Sequence, residues 1–234
     1  MPFLALIFTQ TITWSIEASA RPALEAPATK VTESSEEAKL LAEVTSAYRK
    51  AALVEISVEK QISYEWKPKV DISKGKMFYS HGKIRWEIEV PEKNWTIYDG
   101  KTWWNIEFAS EDFPGSKNKV IATKVEKENK AQFLLLDLLD SKNPSELFLI
   151  KNKLDHKANE AEVTMTLQPK KKSGFSNIEV VIVKEAKIFK EVSFKDDIGN
   201  GIKIILATPI FQKNGKEKLF KYKPDPSKDQ VSHL

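Results

Sequence analysis

Apolar and polar positions alternate with a period of two over most of the chain beyond Leu53. The clearest case is residues 83–90, where Ile84, Trp86, Ile88 and Val90 alternate with Arg85, Glu87 and Glu89. That pattern predicts a strand with one apolar face and one charged face. Pro91 ends it, because proline has no N–H to give to a sheet ladder. Trp95 and Ile97 lead to Asp99-Gly100, a pair suited to the positive φ of a tight hairpin turn. Trp104, Ile106 and Phe108 alternate on the way back. Four of the six tryptophans fall within residues 74–107, so an aromatic-rich antiparallel meander is expected at the heart of the fold.

Two stretches break the period. After a proline-containing leader at residues 21–32, Ser34 or Ser35 can cap a helix with Glu36 and Glu37 in its first turn. Leu40, Leu41, Val44, Ala47, Tyr48 and Ala51 form its apolar stripe, and it is expected to end near Ala52. The second break is FLLLDLL at residues 133–139. Leucine favours helix over strand, and Asn143-Pro144 stops the run. Leu134, Leu135, Leu138 and Leu139 share one helical face and Leu136 points elsewhere, so a short helix lying on a sheet is expected. Between the breaks, Val54, Ile56, Val58, Ile62 and Tyr64 predict a long strand, with a break at Lys67-Pro68 and a loop at residues 71–74. Further strands are expected at residues 120–125, 148–150, 163–169, 178–183, 188–194 and 202–206. A last pairing is expected at Phe220 and Tyr222, with a loose tail over residues 227–234. The sum is a mainly β fold of about ten to eleven strands, an incomplete antiparallel β-barrel or curved sheet, with helices lying against it.

Composition narrows the chemistry. The chain has 234 residues, no cysteine and a net charge of +4 with dispersed lysines. Disulfides and thiolate sites are excluded, and a nucleic-acid patch is not expected. His81, His156 and His233 lie far apart without metal-ligand spacing, and no nucleophile, phosphate-loop or dinucleotide motif occurs. An enzyme is therefore not expected, nor a metal or cofactor. Residues 3–8 (FLALIF) followed by Ala18-Ser19-Ala20 have the form of a secretory signal peptide over residues 1–20, which places the mature chain outside the cytoplasm. What remains is an excess of apolar surface. Either the leucine helix plugs the sheet as part of a solid core, or it is a lid over a space that takes up a ligand.

Several features together resemble the LolA family, the periplasmic carriers of lipoproteins. They are an amphipathic helix leading into a long strand, Gly75 before an aromatic strand that reaches Ile84-Arg85-Trp86-Glu87, Pro91, and the hairpin Ile97-Tyr98-Asp99-Gly100-Lys101-Thr102-Trp103-Trp104. The leucine run and the segment from Phe220 to Pro224 extend the resemblance over residues 33–226. It implies an open β-barrel domain with a helical lid, and a monomer that shields the acyl chains of lipoproteins in the periplasm. Cargo would come from an inner-membrane ABC-type release complex and pass to an outer-membrane lipoprotein receptor. The receptor of this fold is anchored through a lipidated cysteine, so the lack of cysteine favours the carrier. The alternative is a carrier or sensor of another lipid or glycolipid. On this reading Ile84, Trp86, Ile88, Val90, Ile97, Trp104 and Ile106 line the cavity, and Phe133, Leu134, Leu135, Leu138 and Leu139 form the lid. The family arginine that ties lid to barrel has no counterpart here. Tyr79-Ser80-His81-Gly82 stands in its region, which leaves His81 and Arg85 as candidate latches.

Overall fold

The structure, a computed structural model, describes residues 35–110, 112–113, 115–125, 134–151, 161–171, 177–196 and 198–233. The expected signal peptide, the leader and Phe133 lie outside the described residues, as does His156.

The chain enters through helix α1 (Ser35–Lys50), with Glu36 and Glu37 in its first turn and Arg49 and Lys50 in its last, each charge complementing the helix dipole. Leu41, Val44 and Tyr48 are its buried stripe. Five consecutive antiparallel strands follow: β1 (Leu53–Tyr64), β2 (Lys67–Ser80), β3 (Lys83–Val90), β4 (Asn94–Tyr98) and β5 (Thr102–Glu107). Next come β6 (Asn118–Lys124), the leucine helix α2 (Leu134–Asp140), a single turn α3 (Pro144–Leu147) and β7 (Phe148–Lys151). The remaining strands are β8 (Glu162–Pro169), β9 (Ile178–Val183), β10 (Ile188–Lys195), β11 (Gly201–Leu206), β12 (Ile210–Gln212) and β13 (Asp229–His233).

One thirteen-stranded sheet contains all of them, in the order β13-β6-β5-β4-β3-β2-β1-β11-β10-β9-β8-β7, with β12 paired to β1. Among the described residues the two ends of that order do not pair with each other, so the sheet is unclosed, and only the β13–β6 pair is parallel. The expected incomplete antiparallel barrel is therefore observed. Glycine at position 75 is dictated by close approach. A Cβ there would lie 1.9 Å from the Glu87 carbonyl oxygen, at the point where the β2–β3 register shifts.

The concave face is filled on one side by α1. Tyr48 packs on Phe189 and its hydroxyl accepts the Phe189 N–H at 3.3 Å. Leu138 and Leu139 of α2 join the same core. A second core lies on the convex face, where Ile97, Ile106 and Val120 pack with Trp95, Trp104, Phe108, Tyr222 and Val231.

Three local expectations are corrected. Residues 71–74 are strand, not loop, because their backbone pairs with residues 59–62 of β1. The proline at position 68 sits next to the first residue of β2, where a missing N–H disturbs the ladder least. The segment Glu217–Phe220 is a 3-10 turn rather than a strand. The tail is not loose over residues 229–233, which form β13 on the edge of β6. Asp229 holds it there: its carboxylate accepts from Asn118 Nδ2 at 2.8 Å, Tyr222 Oη at 2.7 Å and the Asp225 N–H at 2.8 Å.

Candidate functional site: an apolar cavity under the leucine helix

A cavity of about 290 Å³ opens on the concave face between the sheet and α2. Its apolar wall is Ile84, Trp86 and Ile88 of β3, Phe194 of β10, Ile202 and Ile204 of β11, and Leu135 and Leu136 from α2. Asn94, Thr96, Trp103 and Asn105 supply a polar arc from β4 and β5. In that arc Thr96 Oγ1 and Trp103 Nε1 each donate to Asn105 Oδ1 at 3.1 Å, so the amide is fixed by its neighbours. Lys60 of β1 completes the lining. A second hollow, of about 400 Å³, is bordered by Gln61, Ser63, Glu179, Ser193 and Lys203. It carries more charged side chains than the first, Glu179, Lys195 and Lys203, beside the apolar Val70, Phe194 and Ile202.

The register explains which expected residues reach the cavity. Trp86 pairs with Thr96, and Thr96 with Asn105, so these three share the concave face. Arg85 pairs with Ile97, and Ile97 with Trp104, so these share the convex face. Of the seven expected wall residues, Ile84, Trp86 and Ile88 line the cavity. Ile97, Trp104 and Ile106 instead belong to the convex core under the C-terminal segment, and Val90 is 52% exposed at the end of β3. The assumption that every apolar row faces one interior fails because the sheet buries both faces here. Trp103 takes the inward place on β5.

The leucine helix serves as both plug and cover. Leu138 and Leu139 are buried in the core shared with α1, whereas Leu135 and Leu136 face the cavity. Leu134 opens α2.

A hydrogen bond ties the barrel to the end of this helix. The Tyr79 hydroxyl donates to Asp140 Oδ1 at 2.9 Å. The Tyr79 side chain is fully buried, and burial together with the Asp140 charge pushes its hydroxyl pKa well above the usual tyrosine value. Gly82 lies beside the same carboxylate, where an added Cβ would be 3.6 Å from Asp140 Oδ2. The hydrogen bond to Asp140 falls within residues 79–82 and is made by Tyr79. His81 is exposed in the turn, at φ 41°. Arg85 is 7% exposed on the convex face, where its Nε donates to Glu87 Oε1 at 2.6 Å and its Nη1 to the Leu219 carbonyl at 2.8 Å. Its guanidinium also stacks on the Trp95 ring at 4.0 Å. Arg85 clasps the C-terminal segment, not the lid.

Among the described residues, no group of His, Asp or Glu side chains could hold a metal ion. No helix among them is long and apolar enough to cross a membrane.

The family model for the outer membrane lipoprotein carrier protein LolA matches residues 49–223. The chain belongs to the LolA family. No curated protein sequence matches it. Similar solved structures include an uncharacterized conserved protein from Thermus thermophilus, at 13% identity over 84% of this chain and 99% of that chain, with a TM-score of 0.48. A LolA superfamily protein from Nitrosomonas europaea is 9% identical over 79% of this chain and 97% of that chain, with a TM-score of 0.43. A putative outer membrane lipoprotein-sorting protein domain from Vibrio parahaemolyticus is 13% identical over 79% of this chain and 96% of that chain, with a TM-score of 0.43. The LolA match covers every strand that lines the cavity, the leucine helix and Tyr79.

Sequence reasoning missed the inward polar row of Asn94, Thr96 and Asn105, together with Trp103, Leu136, the far-side Phe194, Ile202 and Ile204, and Lys60. Ile56, Val58, Lys60 and Ile62 occupy one face of β1, and the lysine is the polar exception in that row. The signal was present as a break in an otherwise apolar alternation.

Proposed function

We propose that this protein is a periplasmic carrier that takes the acyl chains of a lipoprotein into the cavity under α2 and ferries them from the inner to the outer membrane. The observation that carries the reading is the cavity itself, apolar on sheet and helix sides and covered by Leu135 and Leu136. Each methylene removed from water gains about 0.8 kcal/mol, so burying ten of them gains ~8 kcal/mol before the costs of association. The costs of association are subtracted from that gain, which leaves binding able to shield cargo and weak enough to release it. A volume of about 290 Å³ is at the low end of ligand pockets, roughly 300–1,000 Å³. Cargo with several chains therefore requires α2 to swing outward. An ABC-type release complex as donor and an outer-membrane receptor as acceptor are the partners this role calls for. A carrier of another envelope lipid would use the same cavity, and Lys60 is the observation that favours it.

The test is recovery of acylated lipoproteins with the purified full chain, compared with Leu135→Glu. A carboxylate at position 135 places a charge against the bound chains, which an apolar site does not tolerate. Bound lipoprotein should fall severalfold. Undiminished recovery would remove α2 from the binding site. Mass spectrometry of the bound fraction separates lipoprotein from another lipid.

A further inference from the structure

Among the described residues, Lys60 is the one cation in the cavity wall. Several lysines elsewhere in the sheet sit in cross-strand ion pairs: Lys74 with Glu59, Lys76 with Glu55, Lys119 with Glu107, Lys190 with Glu162 and Lys203 with Glu191. Lys60 has no such partner among the described residues. Its flanking residues Glu59 and Gln61 point to the opposite face, where they bond each other and Lys74. Asp71, on the same face of β2, is held by Lys67 at 3.0 Å. From α2, the charge of Asp137 acts on the Tyr98 hydroxyl. Lys60 therefore projects into a cavity shared with Trp86, Trp103, Phe194 and Ile204.

We propose that Lys60 makes this cavity selective for amphiphiles whose polar end is an anion, a carboxylate or a phosphate monoester, with the acyl chain lying along Trp86, Ile88 and Leu135. An ammonium removed from water without a counter-charge is costly, and an anionic ligand supplies the missing partner as a charge-assisted hydrogen bond. Burial lowers the proton affinity of Lys60, as this cost requires. The neighbouring Thr96, Trp103 and Asn105 satisfy one another through Asn105 Oδ1, so they leave the cation as the group that selects for charge. The inference rests on the cavity being the acyl site and adds the chemistry of the headgroup it accepts.

The test uses the full chain and three single-chain probes of equal chain length: palmitate, 1-palmitoyl-lysophosphatidate and neutral monopalmitoylglycerol. Binding is read from the change in tryptophan fluorescence on titration, since Trp86 and Trp103 of the six line the cavity. The anionic probes should bind about tenfold more tightly than the neutral one. Lys60→Met should abolish that ratio by weakening the two anionic probes about tenfold relative to the neutral one, and Lys60→Arg should keep it. The stronger of the two anionic probes identifies carboxylate or phosphate as the preferred end. Equal affinity for all three probes, or discrimination that survives Lys60→Met, overturns charge selection and leaves the acyl site intact. Failure of every probe to bind overturns both this proposal and the carrier reading. Thermal melts of both variants show whether they fold, and Lys60→Met should melt no lower than the native chain, because it removes a half-buried charge with no counter-charge among the described residues.

Discussion

The hydrogen bond from Tyr79 to Asp140 should set the ease with which α2 leaves the sheet, and Tyr79→Phe isolates it. The ring of Tyr79 is fully buried in the main core, and phenylalanine keeps that packing. What is lost is one bond of 2.9 Å from a phenol to a carboxylate. Hydrogen bonds to charged groups contribute about 1.5–3 kcal/mol, and the exposed side of Asp140 argues for the lower figure. A loss of ~1.5 kcal/mol raises the open population of the helix roughly tenfold. The bond is not the only restraint. Leu138 and Leu139 are buried beside α1, and each contributes about 1.5–3 kcal/mol. The two leucines together therefore outweigh the latch, and Tyr79→Phe should speed opening without detaching the helix. Hydrogen exchange of amides 135–140 should accelerate about tenfold, and release of a bound acyl probe should accelerate with it. Asp140→Asn should act in the same direction, and the double variant should add little, since both changes break one bond. Arg85→Lys, on the convex face, is the control and should leave these amides unchanged. Unaltered exchange in Tyr79→Phe, with global stability lowered instead, would refute the latch and make Tyr79 a residue of the core alone.

Two further substitutions test the frame around the cavity. Gly75→Ala forces a methyl group against the Glu87 carbonyl of the adjoining strand. Overpacking of backbone of this kind costs about 3 kcal/mol, or roughly 6–12 °C in Tm for a domain of this size, readable by calorimetry. A melt within 2 °C of the native one, on the order of a neutral surface change, would contradict the close approach. Asp229→Asn should cost about 2 kcal/mol at neutral pH, because it turns an acceptor of three hydrogen bonds into a group that carries donors of its own. Burial alone raises the Asp229 pKa, but the bonds from Asn118, Asp225 and Tyr222 outweigh it and hold the carboxyl below the ordinary value of 3.8. A depressed pKa stabilises the fold above the unfolded-state value and loses that contribution as pH falls through the folded-state one. The gap in unfolding free energy between native chain and variant should therefore be full at pH 7 and shrink below pH ~4. A gap independent of pH would place the effect in packing.

Much of this architecture was legible because strands and helices leave different periods. The meander from β2 to β5 followed from alternation and from Asp99-Gly100, and α2 followed from leucine's helical preference and the stop at Asn143-Pro144. The strand β12 was not legible, since three residues offer too little alternation to read. Strand β13 was hidden for another reason. The segment Asp229–His233 is polar, and its place on the sheet edge comes from a buried carboxylate that binds residues more than a hundred positions away as well as four and seven before it. No local pattern announces a contact of that kind.

The side of the sheet that forms the site was the harder matter, and the reason lies in β4 and β5. Period two states that Trp95 and Ile97 share a face and that Trp104 and Ile106 share one, but it does not say which face is concave. Hydrophobicity suggests the interior, and here that inference is reversed. The more apolar rows of these two strands are turned outward, where the C-terminal segment covers them and Arg85 reaches the Leu219 carbonyl. The inward rows hold Asn94, Thr96 and Asn105. A sheet that served only to close a core would place its apolar rows inside. Turning polar groups and one lysine toward the cavity costs folding energy unless something polar is bound there. The parity of β4 and β5 thus argues for a ligand with a polar end, and substituting the inward row should show it. Thr96→Val, which removes one hydroxyl and its bond to Asn105, should leave affinity for an alkyl probe such as monopalmitoylglycerol within about twofold while lowering Tm by about 2–4 °C, the worth of one hydrogen bond of ~1 kcal/mol. A loss of affinity for that neutral probe would mean that the polar arc grips the chain itself.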